Sequence, residues 1–466
     1  MKNKKIIYKN NIQKRYLNLT LNKKLNKRYS NILKNIIANL DTNKDTFHSL
    51  SKKFKFNFRI KDLYKFKKFK TIAIIGMGGS ILGSEALYYF LEEKIKKNFL
   101  FFNDIDEDKL KKLKATQDLK KILFIVISKS GNTIETLSNF FALQVIKKNS
   151  KNIIIISEKF NNPLYLLSQK MKLHHIEHKN YIGGRYSVLS EVGMVPAYLM
   201  GINITRLRKN LLNHFQTKNK KFLKESSIML TSLLKSNKFK NLIFFNYAPR
   251  LDKFLYWNQQ LIAESLGKKS KGFLPLISKA PKDHHSLAQL YLDGPKDKIF
   301  YIFSAETSND KKIKIKTIDK RMNFLCNKNL SQIKDAQRNA FIKVLKKNNI
   351  PFREFKIKDF SENTLGEFFS YFMLETAIVG KLSNINPFNQ PAVEQVKIET
   401  NSRLHLGFMN INSLAPYSYG GLGISVDNYP TVINISKSKS FESNLPKKYE
   451  CKYIAYTLVN PNPIEI

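Results

Sequence analysis

The chain has 466 residues, room for two or three domains at ~100–200 residues each. Its 42% apolar and 12% aromatic content excludes global disorder, and two cysteines, Cys326 and Cys451, exclude a disulfide scaffold or a four-cysteine zinc site. The 81 Lys and Arg against 36 Asp and Glu give a net charge of +45. The lysines are spread from Lys2 to Lys452 rather than gathered with arginines and aromatics, so no specific nucleic-acid partner is expected. A field of this sign does attract anionic metabolites.

Residues 1–70 hold no glycine, no proline and no acidic residue before Asp41. Leu33, Ile36, Ile37 and Leu40 recur at helical spacing, which predicts a basic helical layer over 1–66. From Thr71 the pattern changes. Residues 71–75 read as a short buried strand, the turn Gly76-Met77-Gly78-Gly79-Ser80 follows, and 81–91 read as a helix. The unit returns as a strand at 122–127, a turn at 128–133 and a helix at 134–146, with another strand at 152–157. A second alternating region has strands at 241–247 and 298–303 and helices at 255–266, 330–346 and 364–382. Strands alternating with helices predict an α/β fold with parallel sheets flanked by helices, in two domains over 67–205 and 215–400. Residues 401–466 break the pattern with a turn-rich stretch at 416–423 and a strand at 431–435. No apolar run reaches ~18 residues, so no membrane span is expected. No signal-peptide core is visible, so a cytoplasmic location is expected.

Four glycines fall between Gly76 and Gly83, and none precedes them. Gly78 and Gly79 after a strand let backbone amides close on an anion or sugar hydroxyl, with Ser80 beside them. Their spacing is neither the dinucleotide fingerprint nor the lysine-bearing phosphate loop. In Ser128-Lys129-Ser130-Gly131-Asn132-Thr133, hydroxyls, a lysine and Gly131 precede a helix start, where free amides and a partial positive charge suit a phosphomonoester. A plain helix cap would use the same residue types. In Gly183-Gly184-Arg185-Tyr186-Ser187, Gly184 lets Arg185 approach a cleft, with a fixed charge suited to a developing oxyanion. Glu264, late in an apolar helix, is a candidate general base, and His285 a candidate acid/base. No cysteine or carboxylate stands at ligand spacing from the His284-His285 pair, so no metal is expected. Pro391 fits the first turn of a helix, which sets Gln390, Glu394 and Lys397 on one face at i, i+4 and i+7.

Together these segments resemble the phosphoglucose isomerase family, in chain order and spacing, over about 70–400. The most specific stretches are Gly-Gly-Arg-Tyr-Ser at 183–187 and Gln-Pro-Ala-Val-Glu at 390–394. The resemblance implies two sugar-isomerase (SIS) domains and reversible, cofactor-free interconversion of glucose 6-phosphate and fructose 6-phosphate. Carried over by motif, Ser128, Lys129, Ser130 and Thr133 hold the phosphate, and Ser80 lies close to substrate. Glu264 moves the proton between C2 and C1, and Arg185 stabilises the cis-enediolate. Lys397 and His285 serve ring opening, and Gln390 lines the pocket. The family's histidine comes from the partner subunit, which implies a homodimer. The chain departs from the family pattern at Asn389, where Asp is common, and at Ala392 and Val396, where Gly is usual. A dual glucose/mannose phosphate isomerase and a non-catalytic sugar-phosphate sensor are the alternatives. Residues 401–466, with Ser402-Arg403-Leu404-His405-Leu406-Gly407-Phe408 and Gly420-Gly421-Leu422-Gly423-Ile424, resemble a truncated N-terminus of the GHMP-kinase superfamily, nearest its β-ribofuranosylaminobenzene 5′-phosphate synthase-like members.

Overall fold

A computed structural model describes residues 5–17, 19–42, 45–215, 217–306, 311–314, 320–393, 405–410 and 419–423. Its strands in chain order are β1 (Ile6–Asn11), β2 (Thr71–Gly76), β3 (Asn98–Phe102), β4 (Ile122–Ile127), β5 (Ile153–Ser157), β6 (His174–Glu177), β7 (Asn241–Asn246), β8 (Leu274–Lys279), β9 (Lys298–Ala305), β10 (Phe352–Ile357), β11 (His405–Asn410) and β12 (Tyr419–Gly423). The first sheet has the order β3-β2-β4-β5-β6, all parallel. At its centre β4 is an unbroken run of Ile, Leu, Phe and Val, and β5 is four isoleucines before Ser157, because helices cover both faces and no position along these two strands meets water. The second sheet has the order β1-β10-β9-β7-β8, parallel except for β1, which lies antiparallel to β10.

Side chains alternate across each sheet, and the alternation sorts the core into layers. Ile72 and Ile74 of β2 face a core that they share with Leu242 and Phe244 of β7 and with Tyr301 and Phe303 of β9. Ala73 and Ile75 face an outer cluster on the far side of the first sheet, and Ile243 and Phe245 face one on the far side of the second. In the shared layer, helix Leu82–Phe90 packs against helix Asp252–Leu266. Helix Glu362–Leu382 is buried on nearly every side, which explains why its apolar residues fall on every face rather than in one stripe. The arrangement is the expected α/β fold of parallel sheets flanked by helices.

Several local expectations change. The N-terminal layer is not wholly helical. Ile6–Asn11 form β1, and the helix Leu19–Asn39 and short turns of helix come after it. A strand whose partner lies more than three hundred residues away leaves no local signature. Helix Ile134–Ala142 ends earlier than its apolar pattern suggests, and helix Asp252–Leu266 starts earlier. The turn-rich stretch near residue 420 contains β12, paired antiparallel with β11. The strand expected at 431–435 lies outside the described residues. By backbone contacts, Met1–Asn389 form one compact unit and Gln390–Ile466 a second.

Candidate active site

The site grows from two turns at the same end of the first sheet. β2 ends at Gly76 and β4 at Ile127, paired in register, so the chain leaves both strands side by side. After β2, Gly78 takes φ +51° and residues Gly78–Ser80 make one turn of 3-10 helix. A Cβ on Gly79 would stand 2.2 Å from the carbonyl carbon of Gly184 and 2.5 Å from the nitrogen of Arg185. The glycines thus let two loops touch backbone to backbone, and that contact fixes where Arg185 begins. Ser187 adds a hydrogen bond to the Gly79 carbonyl at 3.3 Å.

The Arg185 side chain is 2% exposed. Its Nε donates to Ser265 Oγ at 2.9 Å, and its Nη2 donates to the carbonyls of Pro387 at 2.7 Å and Asn389 at 3.0 Å. Its Nη1 donates to Glu264 Oε2 at 3.0 Å. Burial with this many acceptors holds the guanidinium rigidly. The other oxygen of Glu264 accepts from Gln260 Nε2 at 2.8 Å, one helical turn earlier. The Glu264 carboxylate keeps 23% exposure, so it is held at two points yet open on one side. Such a carboxylate can exchange a proton with a bound molecule while the arginine answers negative charge forming beside it. Because Asn389 offers Arg185 its backbone carbonyl, the departure from Asp there leaves this bond intact.

In the second turn, Ser128 Oγ lies 2.8 Å from Thr133 Oγ1 and accepts from the Gly131 amide at 3.1 Å. Gly131 is at φ +69°, and a Cβ there would strike Asn162. Thr133 is the N-cap residue of helix Ile134–Ala142, but its hydroxyl makes no capping bond. The first amides of that helix are thus left without a side-chain cap, the arrangement that suits an oxyanion. Lys129 turns elsewhere, donating to the Asn180 carbonyl at 2.7 Å and standing 3.6 Å from Glu158.

The structure brings together Gly78, Gly79, Gly184, Arg185 and Glu264, and sets Ser80, Ser128, Ser130, Gly131 and Thr133 on the adjoining turns. His285 is exposed on the short helix Asp283–Ser286 beyond β8. Its neighbour His284 is a packing residue, stacked on Phe245 and bonded to the Tyr247 hydroxyl at 2.7 Å. Gln390 falls in the second unit, and Lys397 and Val396 lie outside the described residues. Sequence reasoning missed Gln260 and Ser265 as partners of the pair, although the i, i+4 spacing from Gln260 to Glu264 was available. Among the described residues no group of three His, Cys, Asp or Glu could hold a metal ion, and no helix is long and apolar enough to cross a membrane.

A family profile described as phosphoglucose isomerase matches residues 10–405. The chain belongs to the phosphoglucose isomerase family. It is similar to the glucose-6-phosphate isomerase of Methanocaldococcus jannaschii, 32% identical over 354 residues that span 72% of this chain and 86% of the relative. It is also similar to the glucose-6-phosphate isomerase of Mycoplasmopsis synoviae, 34% identical over 354 residues, 71% of this chain and 81% of the relative. Two solved structures share the fold. One is a hypothetical protein from Thermus thermophilus, with TM-score 0.69 and 22% identity over 84% of this chain and 99% of that one. The other is a glucose-6-phosphate isomerase from Chlamydia trachomatis, with TM-score 0.61 and 21% identity over 73% and 72%. The phosphoglucose isomerase match thus takes in strands β2 to β10 and both turns of the site.

Proposed function

We propose that this chain interconverts glucose 6-phosphate and fructose 6-phosphate through a cis-enediolate, as a cytoplasmic homodimer. Glu264 is the base that takes the proton from C2 of the aldose and returns it to C1 of the ketose. Arg185 balances the negative charge that forms on the enediolate oxygens in between. The amides and hydroxyls of the 128–133 turn hold the phosphate, with Lys129 contributing charge from its side and Ser80 beside the sugar. His285 of one subunit serves the partner's site and, with Lys397, ring opening; its exposure at the end of the second sheet suits that task. Gln390 lines the pocket. The observation that carries the reading is the Glu264 carboxylate, held at 3.0 Å by a buried guanidinium and still partly open.

The test is a coupled assay of fructose 6-phosphate to glucose 6-phosphate, with EDTA present, on wild type and Glu264→Gln. Glu264→Gln is expected to lose about 10²–10⁴ in kcat while sugar-phosphate binding persists. Binding without turnover in the wild type would transfer the reading to a sugar-phosphate sensor. Mannose 6-phosphate in the same assay separates a strict from a dual isomerase.

A further inference from the structure

Helix Asp252–Leu266 ends at Gly267, one turn past Glu264, and the next residue is Lys268. Its backbone is fixed in a tight turn: the Lys268 amide donates to Lys271 O at 3.0 Å, and the Lys271 amide donates back to Lys268 O at 3.0 Å. From that fixed start the side chain runs back toward the site. Lys268 Nζ donates to the Asn386 carbonyl at 2.6 Å and to the Ser265 carbonyl at 3.3 Å. The carbonyls of Pro387 and Asn389, next along the same segment, are the acceptors of Arg185. Two cations from two elements therefore grip three carbonyls of one short irregular stretch. That stretch follows helix Glu362–Leu382 in the chain and precedes Gln390.

We propose that Lys268 is a positioning residue: with Arg185 it ties residues 386–389 to the end of the helix that carries Glu264, and so keeps the arginine and the glutamate in register with that stretch. This deepens the isomerase reading and rests on it. A charged donor is roughly twice as effective as a neutral one, so the tether weakens when the ammonium loses its proton. Burial and the Arg185 charge push Lys268 down to about 8, and Glu264 pulls the other way. Lys269 and Lys271 lie in its own turn; around the tethered stretch, Lys381 of helix Glu362–Leu382 stands 5.7 Å over the Phe388 ring and Arg28 of helix Leu19–Asn39 donates to Asn384 Oδ1 at 2.6 Å.

The experiment compares wild type, Lys268→Met and Lys268→Arg for kcat, KM, the pH profile of kcat, and hydrogen exchange at the Phe388 amide, which is bonded to Asn386 Oδ1 at 3.0 Å. Lys268→Met is expected to lower kcat about 10-fold or more with KM changed less than about threefold, because the phosphate turn is built elsewhere. Exchange at Phe388 should quicken about 10-fold or more in the same protein. Lys268→Arg, which stays charged, should recover kcat to within about threefold. It should also lack the alkaline fall expected of wild type as Lys268 loses its proton near pH 8. A Lys268→Met protein with wild-type kcat and exchange overturns the proposal, as does one that loses kcat with exchange unchanged. Should Lys268→Met fail to fold, an alkaline limb in Lys268→Arg identical with wild type overturns it. A wild type without turnover overturns the isomerase reading alone, and the exchange comparison still decides the tether.

Discussion

Gly79 has no room for a side chain, because the atoms a Cβ would meet within 2.5 Å are backbone atoms of Gly184 and Arg185. Gly79→Ala must therefore push the Arg185 loop away rather than turn a rotamer. We expect it to destabilise the protein by about 1–3 kcal/mol, read from denaturant unfolding. It should lower kcat/KM more than that loss of stability accounts for, since Arg185 moves with the loop. At this scale the sequence was informative where glycine accompanied chemistry. The glycines around Ser80 and before Arg185 stood out in a chain with none upstream. Lys268 did not, because one lysine among so many carries no contrast and its acceptor is a backbone carbonyl 118 residues away. The side chain of Lys129, drawn to Asn180 and Glu158, shows the same limit: motif position says which turn a residue occupies, not where a long side chain ends.

At the scale of elements, the second sheet is held by a network centred on Arg353 of β10. The guanidinium is fully buried and its ion-pair partner Glu375, on helix Glu362–Leu382, is 1% exposed, at 2.9 Å. Arg353 also donates to the Tyr301 hydroxyl of β9 at 2.6 Å and to Asn10 Oδ1 of β1 at 3.0 Å, and it reaches the Tyr371 hydroxyl. Three strands and the central helix thus share one cation. Arg353→Met leaves Glu375 charged and unmatched in the core, and we expect a loss of about 3–5 kcal/mol in denaturant unfolding. The double variant Arg353→Met/Glu375→Leu should recover much of it, because the uncompensated charge is gone. The sheet itself was half legible. β7 and β9 are apolar runs that declare themselves. β10 hides because Arg353, Glu354 and Lys356 interrupt its apolar residues, and β8 because its positions alternate between buried and exposed at the sheet edge.

For the whole molecule, buried histidines set the response to acid. His178 and His214 are 2% and 1% exposed, and burial pushes each from 6.5 down to about 4. The unfolded chain takes up these protons near pH 6.5 and the folded one only near 4, so stability is present above the first value and falls as pH drops toward the second. Each histidine contributes on the order of 3 kcal/mol to that fall. Glu191, pushed up by burial, works in the opposite sense. Unfolding curves from pH 7 to 4 should show the decline, and His214→Gln should flatten it. The placement of β1 has a consequence for synthesis. Ile6 pairs with Ile357, so β1 leaves the ribosome about 350 residues before its partner β10. At ~5–20 residues per second that wait is roughly 20–70 s. The strands β2 to β6 lie within one stretch of chain and are complete long before β10 is made. The first sheet can close while the nascent chain still carries β1 unpartnered, so the window for chaperone binding or mispairing at that strand stays open until β10 has emerged.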